Sequence, residues 1–314
     1  MKRQVIVTGA GGLIGHAARL RLECAGIATL GLDLVSGTIE GLPVLGCDLC
    51  DPEALRAVVA GRTFDGILHC GAMSGPTVGR ENPRQLVAVN VMGTANMLDL
   101  ARERGIPRFV YASSVSAYGD CRGQDLDEST PLKPTVVYGA TKAASEMLVA
   151  AYGLEHGLSA VSLRISMVYG PRRQTACSLR DMLVSALSGT PLRQDWGQDL
   201  LRHPVHVDDV AAAAVAALQV ADFAQAAYNI TGGPAVTLGQ VADIVRDIVP
   251  GADIVLGTTP LGGDNVQGSH SIAAAQRDLG YRPAVVLREG LAHYADWLRG
   301  ELGDCAAQTG ARAP

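Results

Sequence analysis

The chain has 314 residues, of which 48% are hydrophobic and 18% are charged, and its formal net charge is -5. This length is enough to bury a large core, and the absence of a basic run together with 4% aromatic residues argues against nucleic-acid binding. No apolar run is long enough to cross a bilayer, and the strand-like sequence from Gln4 leaves no space for a signal peptide, so we expect a cytoplasmic protein.

Seven cysteines, an odd number, are scattered along the chain and are typical of free thiols in a reducing compartment. Cys47 and Cys50 have CxxC spacing, but a zinc site requires two further ligands and no second pair exists. We therefore expect no metal site.

Short apolar segments alternate with longer helical patterns through the first half of the chain. In chain order, the predicted elements are strand Val5–Thr8, helix Leu13–Ala25, strand Thr29–Asp33, helix Pro52–Ala60, strand Gly66–Cys70, helix Leu86–Arg104, strand Arg108–Tyr111, helix Tyr138–His156 and strand Ala160–Arg164. Such alternation predicts an α/β protein with a parallel sheet that has helices on both faces.

The pattern is less regular after Gly170. The predicted elements are helix Leu179–Ser188, helix Asp208–Leu218, strand Tyr228–Ile230, helix Leu238–Val249 and helix Leu287–Arg299, followed by a frayed tail from Cys305.

A glycine motif lies between the first predicted strand and the first predicted helix. Gly9, Gly12 and Gly15 have the spacing GxxGxxG. The first glycine permits a tight turn, the second allows the backbone to approach a pyrophosphate, and the third allows the helix to pack closely on the strand. The helix N-terminus then offers amide hydrogens to phosphates. The candidate dinucleotide-binding residues in this turn are Gly9, Gly12, Leu13, Ile14 and Gly15.

The second predicted strand ends in Asp33, 24 residues after Gly9. A carboxylate at this position accepts hydrogen bonds from the adenosine ribose and repels a 2'-phosphate. No arginine follows, since the next residues are Leu34 and Val35, and this favours NAD over NADP. We therefore predict a Rossmann-type doubly wound parallel sheet in residues 1–170, an NAD-binding domain to which about 203–232 returns. Residues 171–314 mainly form a smaller C-terminal substrate-binding lobe.

Tyr138 and Lys142 are four residues apart at the start of a predicted helix and share one face of it. A neighbouring ammonium lowers the pKa of a phenol, so the tyrosine is suited to exchange a proton with a substrate hydroxyl. Ser114 follows the strand Arg108–Tyr111 and is placed to hold the substrate oxygen. Serines after a strand are otherwise turn or cap residues.

Taken together, these motifs make the chain resemble the extended short-chain dehydrogenase/reductases, the NAD-dependent epimerase/dehydratase group. The resemblance covers nearly the whole chain. It also rests on Asp48 after the third strand, the segment His69–Ala72 after the fourth, Asn90, Arg164 followed by Tyr169–Pro171, and the segment Arg202–Val210.

The resemblance implies a role for each matching residue. Tyr138 would be the acid/base, Lys142 would tune its pKa and bind the ribose, and Ser114 would hold the reacting oxygen. Asp48 and Leu49 would contact the adenine, while Gly71 and Ala72 would line the middle of the cofactor. Asn90 would brace the helix beneath the site. Asp48 is alternatively a turn acid, Asn90 a packing or capping residue, and His69 a structural residue.

The resemblance also bears on the reaction. The family's dehydratases carry an Asp-Glu pair after the catalytic Ser or Thr, and its decarboxylases carry a Glu in that stretch. Here Ser114 is followed by Val115 and Ser116, and we expect Asp127 and Glu128 to be solvated in a polar loop. Epimerisation and net oxidation or reduction therefore remain open, because both begin with hydride transfer to NAD.

Two positions that bind the nucleotide in nucleotide-sugar members are altered. Met167 stands where those members usually have Asn, and Ser271 stands near their usual acidic residue, whereas Arg202 is retained. We therefore favour a net dehydrogenase acting on a secondary alcohol or ketone of a sugar, sugar acid or similar polyol. The alternatives are a nucleotide-sugar epimerase with tightly held NAD and a non-catalytic NAD-binding sensor or scaffold.

The substrate candidates are Met73, Ser74, Ser114, Met167 and Arg202, with Thr77 in the same glycine-rich loop as Met73. Family members commonly dimerise by packing two helices from each subunit, which here would be Leu86–Arg104 and Tyr138–His156. A homodimer is therefore expected, with apolar contacts drawn from Val89, Met97, Leu100, Met147, Leu148 and Ala151, some of which must instead face the sheet.

Overall fold

The computed structural model describes residues 3–75, 78–173, 175–260 and 268–310, with backbone only from 303 to 310. Contacts between Cα atoms divide it into two compact units. The first unit comprises Met1–Ser166, Asp208–Thr231 and Asn265–Arg282; the second comprises Met167–Val207, Gly232–Asp264 and Pro283–Pro314. The sequence predicts that residues 171–314 mainly form the substrate-binding lobe. The segment Asn265–Arg282 lies within that range but belongs to the first unit.

The strands are β1 (Gln4–Thr8), β2 (Ala28–Asp33), β3 (Gly37–Ile39), β4 (Leu42–Gly46), β5 (Gly66–His69), β6 (Arg108–Ser114), β7 (Asp125–Leu126), β8 (Ser159–Ile165), β9 (Met167–Tyr169), β10 (Leu192–Gly197), β11 (Leu201–Arg202), β12 (Pro204–His206), β13 (Ala227–Ile230), β14 (Val236–Thr237), β15 (Ile254–Gly257) and β16 (Ser269–His270). The α-helices are α1 (Leu13–Cys24), α2 (Pro52–Val58), α3 (Pro83–Val87), α4 (Gly93–Arg104), α5 (Val137–His156), α6 (Ser178–Ser188), α7 (Val207–Gln219), α8 (Leu238–Ile248), α9 (Ala273–Leu279) and α10 (Leu287–Gly310).

The first unit contains a sheet of eight described strands in the order β13-β8-β6-β5-β1-β2-β4-β3. Its pairs are parallel, except that β3 runs antiparallel to β4. Strand order reverses between β1 and β5, and ligands of such sheets bind outside the carboxyl ends of the strands at this point. The predicted doubly wound parallel sheet is therefore confirmed.

The core of the first unit is built from apolar residues of the sheet and of the helices packed on it. Ile6, Ile67 and Phe109 from the strands are fully buried together with Met97 and Leu98 of α4. Leu100 of α4 belongs to the same core, so neither Met97 nor Leu100 is available for the predicted dimer contact. These two residues are therefore among the candidates that face the sheet, as was expected for some of the set.

The second unit has its own core and short paired strands. The strand pairs are β9 with β12, β10 with β15 and β11 with β14. The buried core includes Leu179, Leu183, Val241, Val245 and Leu291 from α6, α8 and α10. The last helix continues to Gly310, past the predicted end at Arg299 and into the predicted tail.

Candidate active site

The turn after β1 requires glycine at two positions. Gly9 has φ +63°, and a Cβ atom there would lie 2.9 Å from the backbone of Cys70 and Gly71. A Cβ on Gly15 would lie 2.2 Å from the carbonyl oxygen of Gly9. The turn can therefore pack between β5 and α1 only without side chains at these two residues.

The N-terminus of α1 is suited to bind a phosphate. Gly12 is its N-cap and supplies no side-chain cap, and the first turn carries no acidic residue. The first amides of a helix have no partner within the helix and attract anions. Leu13, Ile14 and Gly15 thus place backbone N–H groups where a pyrophosphate would bind, and the residues present fit a dinucleotide.

Asp33 is held beside the glycine turn. Its Oδ2 accepts a hydrogen bond from the Gly11 amide at 2.9 Å, and its Oδ1 accepts one from the Leu34 amide at 2.7 Å. A carboxylate fixed between these two backbone groups is oriented before a ribose arrives. The predicted adenosine residue therefore lies next to the predicted phosphate turn.

The other cofactor candidates lie near the ends of β4 and β5. Asp48 is exposed and its Oδ1 accepts from the Cys50 amide at 2.9 Å, the contact of a turn acid. A Cβ on Gly71 would lie 2.6 Å from Leu49 Cδ1, so Leu49 packs on Gly71. The Gly71 amide donates to Thr8 Oγ1 at 2.9 Å. Ala72 follows directly and is half-buried.

Ser114 and Tyr138 lie on two elements that are packed tightly together. Ser114 is the last residue of β6, and its Oγ accepts from the Ser116 amide at 3.2 Å. A Cβ on Gly139, the residue after Tyr138, would lie 2.3 Å from the Ser116 carbonyl oxygen. The first turn of α5 thus rests on the turn that contains Ser114. Because Ser114 Oγ accepts from an amide, its own proton remains available for donation.

Lys142 is buried between two tyrosines. Its Nζ lies 4.8 Å from the Tyr111 ring centre and 5.9 Å from the Tyr138 ring centre, and it donates to the Ala112 carbonyl at 2.7 Å. Burial acts to lower the pKa of Lys142, but attraction to the Tyr111 and Tyr138 hydroxyls outweighs it and holds that pKa above its ordinary value. Lys142 is therefore a stable ammonium beside the Tyr138 ring.

The predicted substrate residues occur in both units, and each is described within its own unit. In the first unit, Met73 is half-buried and Ser74 Oγ lies 3.5 Å from Tyr138 Oη. Thr77 lies outside the described residues. In the second unit, Met167 begins β9 and packs against the apolar core, and Arg202 ends β11 and is half-buried.

Asn90 occupies a π-helical turn, Ala88–Met92, between α3 and α4. Its side chain accepts from the Met73 amide at 2.8 Å and donates to the Met73 carbonyl at 3.1 Å and to Thr141 Oγ1 at 3.0 Å. Its carbonyl accepts from Ser145 Oγ at 2.9 Å. Asn90 thus ties the Met73 loop to α5.

His69 belongs to a buried chain of hydrogen bonds. Its Nδ1 lies 2.7 Å from Thr8 Oγ1, and its Nε2 lies 3.1 Å from Thr94 Oγ1. Thr94 donates its own proton to the Asn90 carbonyl, so we assign the proton of neutral His69 to Nε2. Burial, reinforced by the Lys142 charge, lowers the pKa of His69 to about 3. His69 is accordingly a neutral structural residue.

Glu146 was not singled out from the sequence, although it lies one helical turn after Lys142. It forms a buried ion pair with Arg164 at 3.0 Å and accepts from Ser113 Oγ at 2.6 Å. Arg164 also donates to Tyr118 Oη at 2.8 Å. The sequence did contain a signal for Glu146, because it continues the four-residue spacing of Tyr138 and Lys142 along one face of α5.

One expectation for the loop after Ser114 is wrong. Asp127 is exposed, as predicted, but Glu128 is half-buried and its Oε1 accepts from the Asn229 amide at 2.8 Å. A buried backbone amide at the edge strand β13 requires such a partner. No group of metal-binding side chains, and no helix suited to cross a membrane, occurs among the described residues.

Comparison with known proteins agrees with this geometry. A sequence model described as the NAD dependent epimerase/dehydratase family matches residues 5–231. The chain is similar to UDP-glucuronate 4-epimerase 6 of Arabidopsis thaliana, with 28% identity covering 95% of this chain and 72% of the relative. It is similar to dTDP-glucose 4,6-dehydratase of Streptomyces griseus, with 29% identity covering 95% and 94%.

Among solved structures, the UDP-glucose 4-epimerase of Thermus thermophilus, in complex with NAD, resembles the chain with a TM-score of 0.85. The sequence identity is 28%, covering 95% of this chain and 99% of that one.

Proposed function

This chain belongs to the NAD-dependent epimerase/dehydratase family, and we propose that it is a nucleotide-sugar 4-epimerase that retains its NAD between turnovers. Bound NAD supplies a reversible hydride acceptor. The relatives named above act on UDP- and dTDP-sugars, and this favours the epimerase alternative over a net dehydrogenase of a free polyol.

One observation carries the choice of epimerase over dehydratase. The proton-transfer residues Ser114, Tyr138 and Lys142 are all present, whereas the turn after Ser114 offers no acid for eliminating water. Val115 is buried there, and Glu128 is engaged with the Asn229 amide. An epimerase needs only to remove and return a proton and a hydride at one carbon, for which this set is sufficient.

Each of the three residues has a distinct task in this proposal. Tyr138 takes the proton from the sugar hydroxyl and later returns it to the same oxygen, whereas the hydride returns to the other face of the carbon. The Lys142 ammonium stabilises negative charge on the Tyr138 oxygen. Ser114 Oγ accepts one hydrogen bond from the Ser116 amide, and its own proton is available to donate to the reacting oxygen.

The two altered nucleotide positions have structural explanations. Met167 packs against the apolar core of the second unit. Ser271 Oγ accepts from the Ala273 amide at 3.3 Å at the start of α9, and its carbonyl accepts from Asn229. Neither substitution therefore argues against a nucleotide, and Arg202 remains as the cation for a diphosphate.

The test uses the full chain as purified. The protein is denatured and the released dinucleotide quantified, and the native protein is incubated with UDP-glucose, UDP-glucuronate and dTDP-glucose. We expect nearly one NAD per chain and the 4-epimer of a UDP-sugar. NADH accumulating with a free polyol would restore the dehydrogenase interpretation, and bound NAD without turnover of any sugar would favour a sensor.

We also propose that the protein forms a homodimer through α5 and the helical segment 83–104. Met92, Met147 and Leu154 are 55%, 63% and 89% exposed in the isolated chain and offer apolar side chains for such a contact. Replacement of Met147 by Glu is expected to shift the mass in solution from dimer to monomer. A wild-type monomer at micromolar concentration would contradict the proposal.

A further inference from the structure

The outer edge of the main sheet carries a hairpin with an unusual turn. Strands β3 and β4 pair antiparallel, with Ile39 opposite Leu42, and the two residues between them are Glu40 and Gly41. Their φ angles are +47° and +79°. Two positive φ angles are typical of a type I′ turn, which favours Asn-Gly or Asp-Gly. A glutamate is disfavoured at the first of these positions.

The Glu40 side chain has a specific contact. Its Oε2 accepts a hydrogen bond from Nε2 of His16 at 3.1 Å. His16 is 1% exposed and follows Gly15 in the first turns of α1, whereas Glu40 is half-exposed above it. Glu40 therefore connects the hairpin tip to the helix whose N-terminus forms the candidate phosphate site.

A second basic residue of α1 holds the base of the hairpin. Arg19 is fully buried and donates to the Pro43 carbonyl at 2.8 Å and to Thr29 Oγ1 at 3.1 Å. A Cβ on Gly31 would lie 2.5 Å from the Arg19 guanidinium carbon. Because glycine has no side chain, the Arg19 side chain can cross β2 at this position. Arg19 is buried and holds the base of the hairpin, whereas the His16–Glu40 contact at the tip is partly exposed to solvent.

The hairpin places an apolar side chain at the adenosine end of the cofactor site. A Cβ on Gly11 would lie 3.2 Å from Ile39 Cδ1 and also 3.2 Å from Asp33 Oδ2. Ile39 thus lies where the glycine turn and the ribose-binding carboxylate meet. Any opening of the hairpin tip moves Ile39 away from this point.

We propose that the β3–β4 hairpin is a flap over the adenosine end of the cofactor site, with Ile39 as its contact residue and the His16–Glu40 pair as its latch. The inference rests on the proposed function, since retention of NAD serves an enzyme that recycles its cofactor. The latch slows NAD release without taking part in the reaction at the sugar. The contact with His16 accounts for a glutamate in a turn that favours asparagine.

The test compares Glu40→Asn with wild type. Asparagine is tolerated at positive φ but its shorter side chain cannot reach His16, so the fold is kept while the latch is lost. The NADH dissociation rate is measured by displacing bound NADH with excess NAD in stopped-flow fluorescence. We expect release to be about three- to tenfold faster, the effect of one partly exposed charge-assisted hydrogen bond.

Three further measurements separate a latch from a general loss of stability. The melting temperature of the cofactor-free Glu40→Asn variant should lie close to that of wild type, because relief of the unfavourable turn residue offsets the lost hydrogen bond to His16. His16→Gln should also speed release, and the double variant should release no faster than the quicker single one. Asp253→Asn, which removes an exposed ion pair with Arg193 in the second unit, is the matched control and should leave release unchanged.

A release rate for Glu40→Asn within twofold of wild type would overturn the flap proposal. So would a double variant whose release rate rises by the product of the increases seen for Glu40→Asn and His16→Gln alone. Dissociation is measured without any sugar. The flap can therefore be tested even in a protein that shows no epimerase activity. Failure of the flap proposal is thus distinguishable from failure of the proposed epimerase function.

Discussion

The Nζ atom of Lys142 lies 5.9 Å from the centre of the Tyr138 ring, one helical turn further along the same face of α5. The ammonium is buried and donates to the Ala112 carbonyl. Its positive charge is therefore held beside the aromatic rings of Tyr111 and Tyr138.

Tyr138→Phe is expected to lower the epimerisation rate by roughly 100- to 10,000-fold, the usual contribution of a general acid/base. NAD content should be unchanged, since the ring remains. The matched control is Tyr152→Phe on the same helix, which removes a hydroxyl bonded to Asp99 at 3.1 Å and should leave the rate within about twofold. Full activity of Tyr138→Phe would refute the assignment of the proton carrier.

Glu146→Gln is expected to lower the free energy of unfolding by about 3 kcal/mol, because Arg164 would remain as a buried cation without its counter-charge. Ser113 also bonds to this carboxylate. Chemical denaturation of the wild type and the variant measures the difference. The exposed pair of Arg193 and Asp253 provides a comparison, since Asp253→Asn should leave the free energy of unfolding nearly unchanged. Equal losses of unfolding free energy in Glu146→Gln and Asp253→Asn would contradict a stabilising role for the buried Glu146–Arg164 pair.

Because the pKa of His69 is lowered by burial, we expect the free energy of unfolding to fall in mild acid. Its pKa is about 3 in the folded chain against 6.5 for an ordinary histidine. The unfolded chain therefore binds more protons between these values, and stability falls as the pH falls through this window. From about pH 7.5 to about pH 5.5, His69 should contribute a loss of about 1.4 kcal/mol.

The comparison for that prediction is His69→Asn, which has no group that titrates there. The variant is expected to start less stable but to lose less stability over the same pH range. Parallel pH profiles of the wild type and the variant would show that His69 is not held neutral by burial.

Arg202→Met is expected to raise the KM for a UDP-sugar by roughly 10- to 100-fold while kcat changes little, because a diphosphate contact is made equally in the ground and transition states. Initial rates over a range of substrate concentrations measure both constants. Arg193→Met, at an exposed position of β10 in the same unit, is the control and should leave KM unchanged. A fall in kcat with constant KM would place Arg202 outside diphosphate binding.

Much of the first unit could be predicted because its signals are local. The strand ending at Thr8, the glycine turn and the helix start at Leu13 agree with the structure, since turn geometry and periodicity both act over a few residues. Helical spacing placed Tyr138 and Lys142 on one face, and the family resemblance supplied their roles. Glu146 has the same spacing but was missed, because its partner Arg164 lies on a distant strand.

Other features depend on contacts that the sequence does not display. The predicted helix from Leu86 to Arg104 contains a π turn, which is stabilised by Ser145 and Thr94 bonding to the Asn90 carbonyl. The β3–β4 hairpin was not predicted, because Glu40-Gly41 lacks the Asn-Gly or Asp-Gly turn signal. In both places a tertiary contact outweighs the local preference.

The most direct test of the proposed epimerase uses UDP-glucose and UDP-glucuronate that carry deuterium at carbon 4. The account predicts a 4-epimer that keeps its deuterium at carbon 4, with no reduced dinucleotide accumulating in solution, because the hydride is returned to the carbon from which it came. Loss of the deuterium to free reduced cofactor, in step with the formation of an oxidised sugar, would contradict the account and identify a net dehydrogenase.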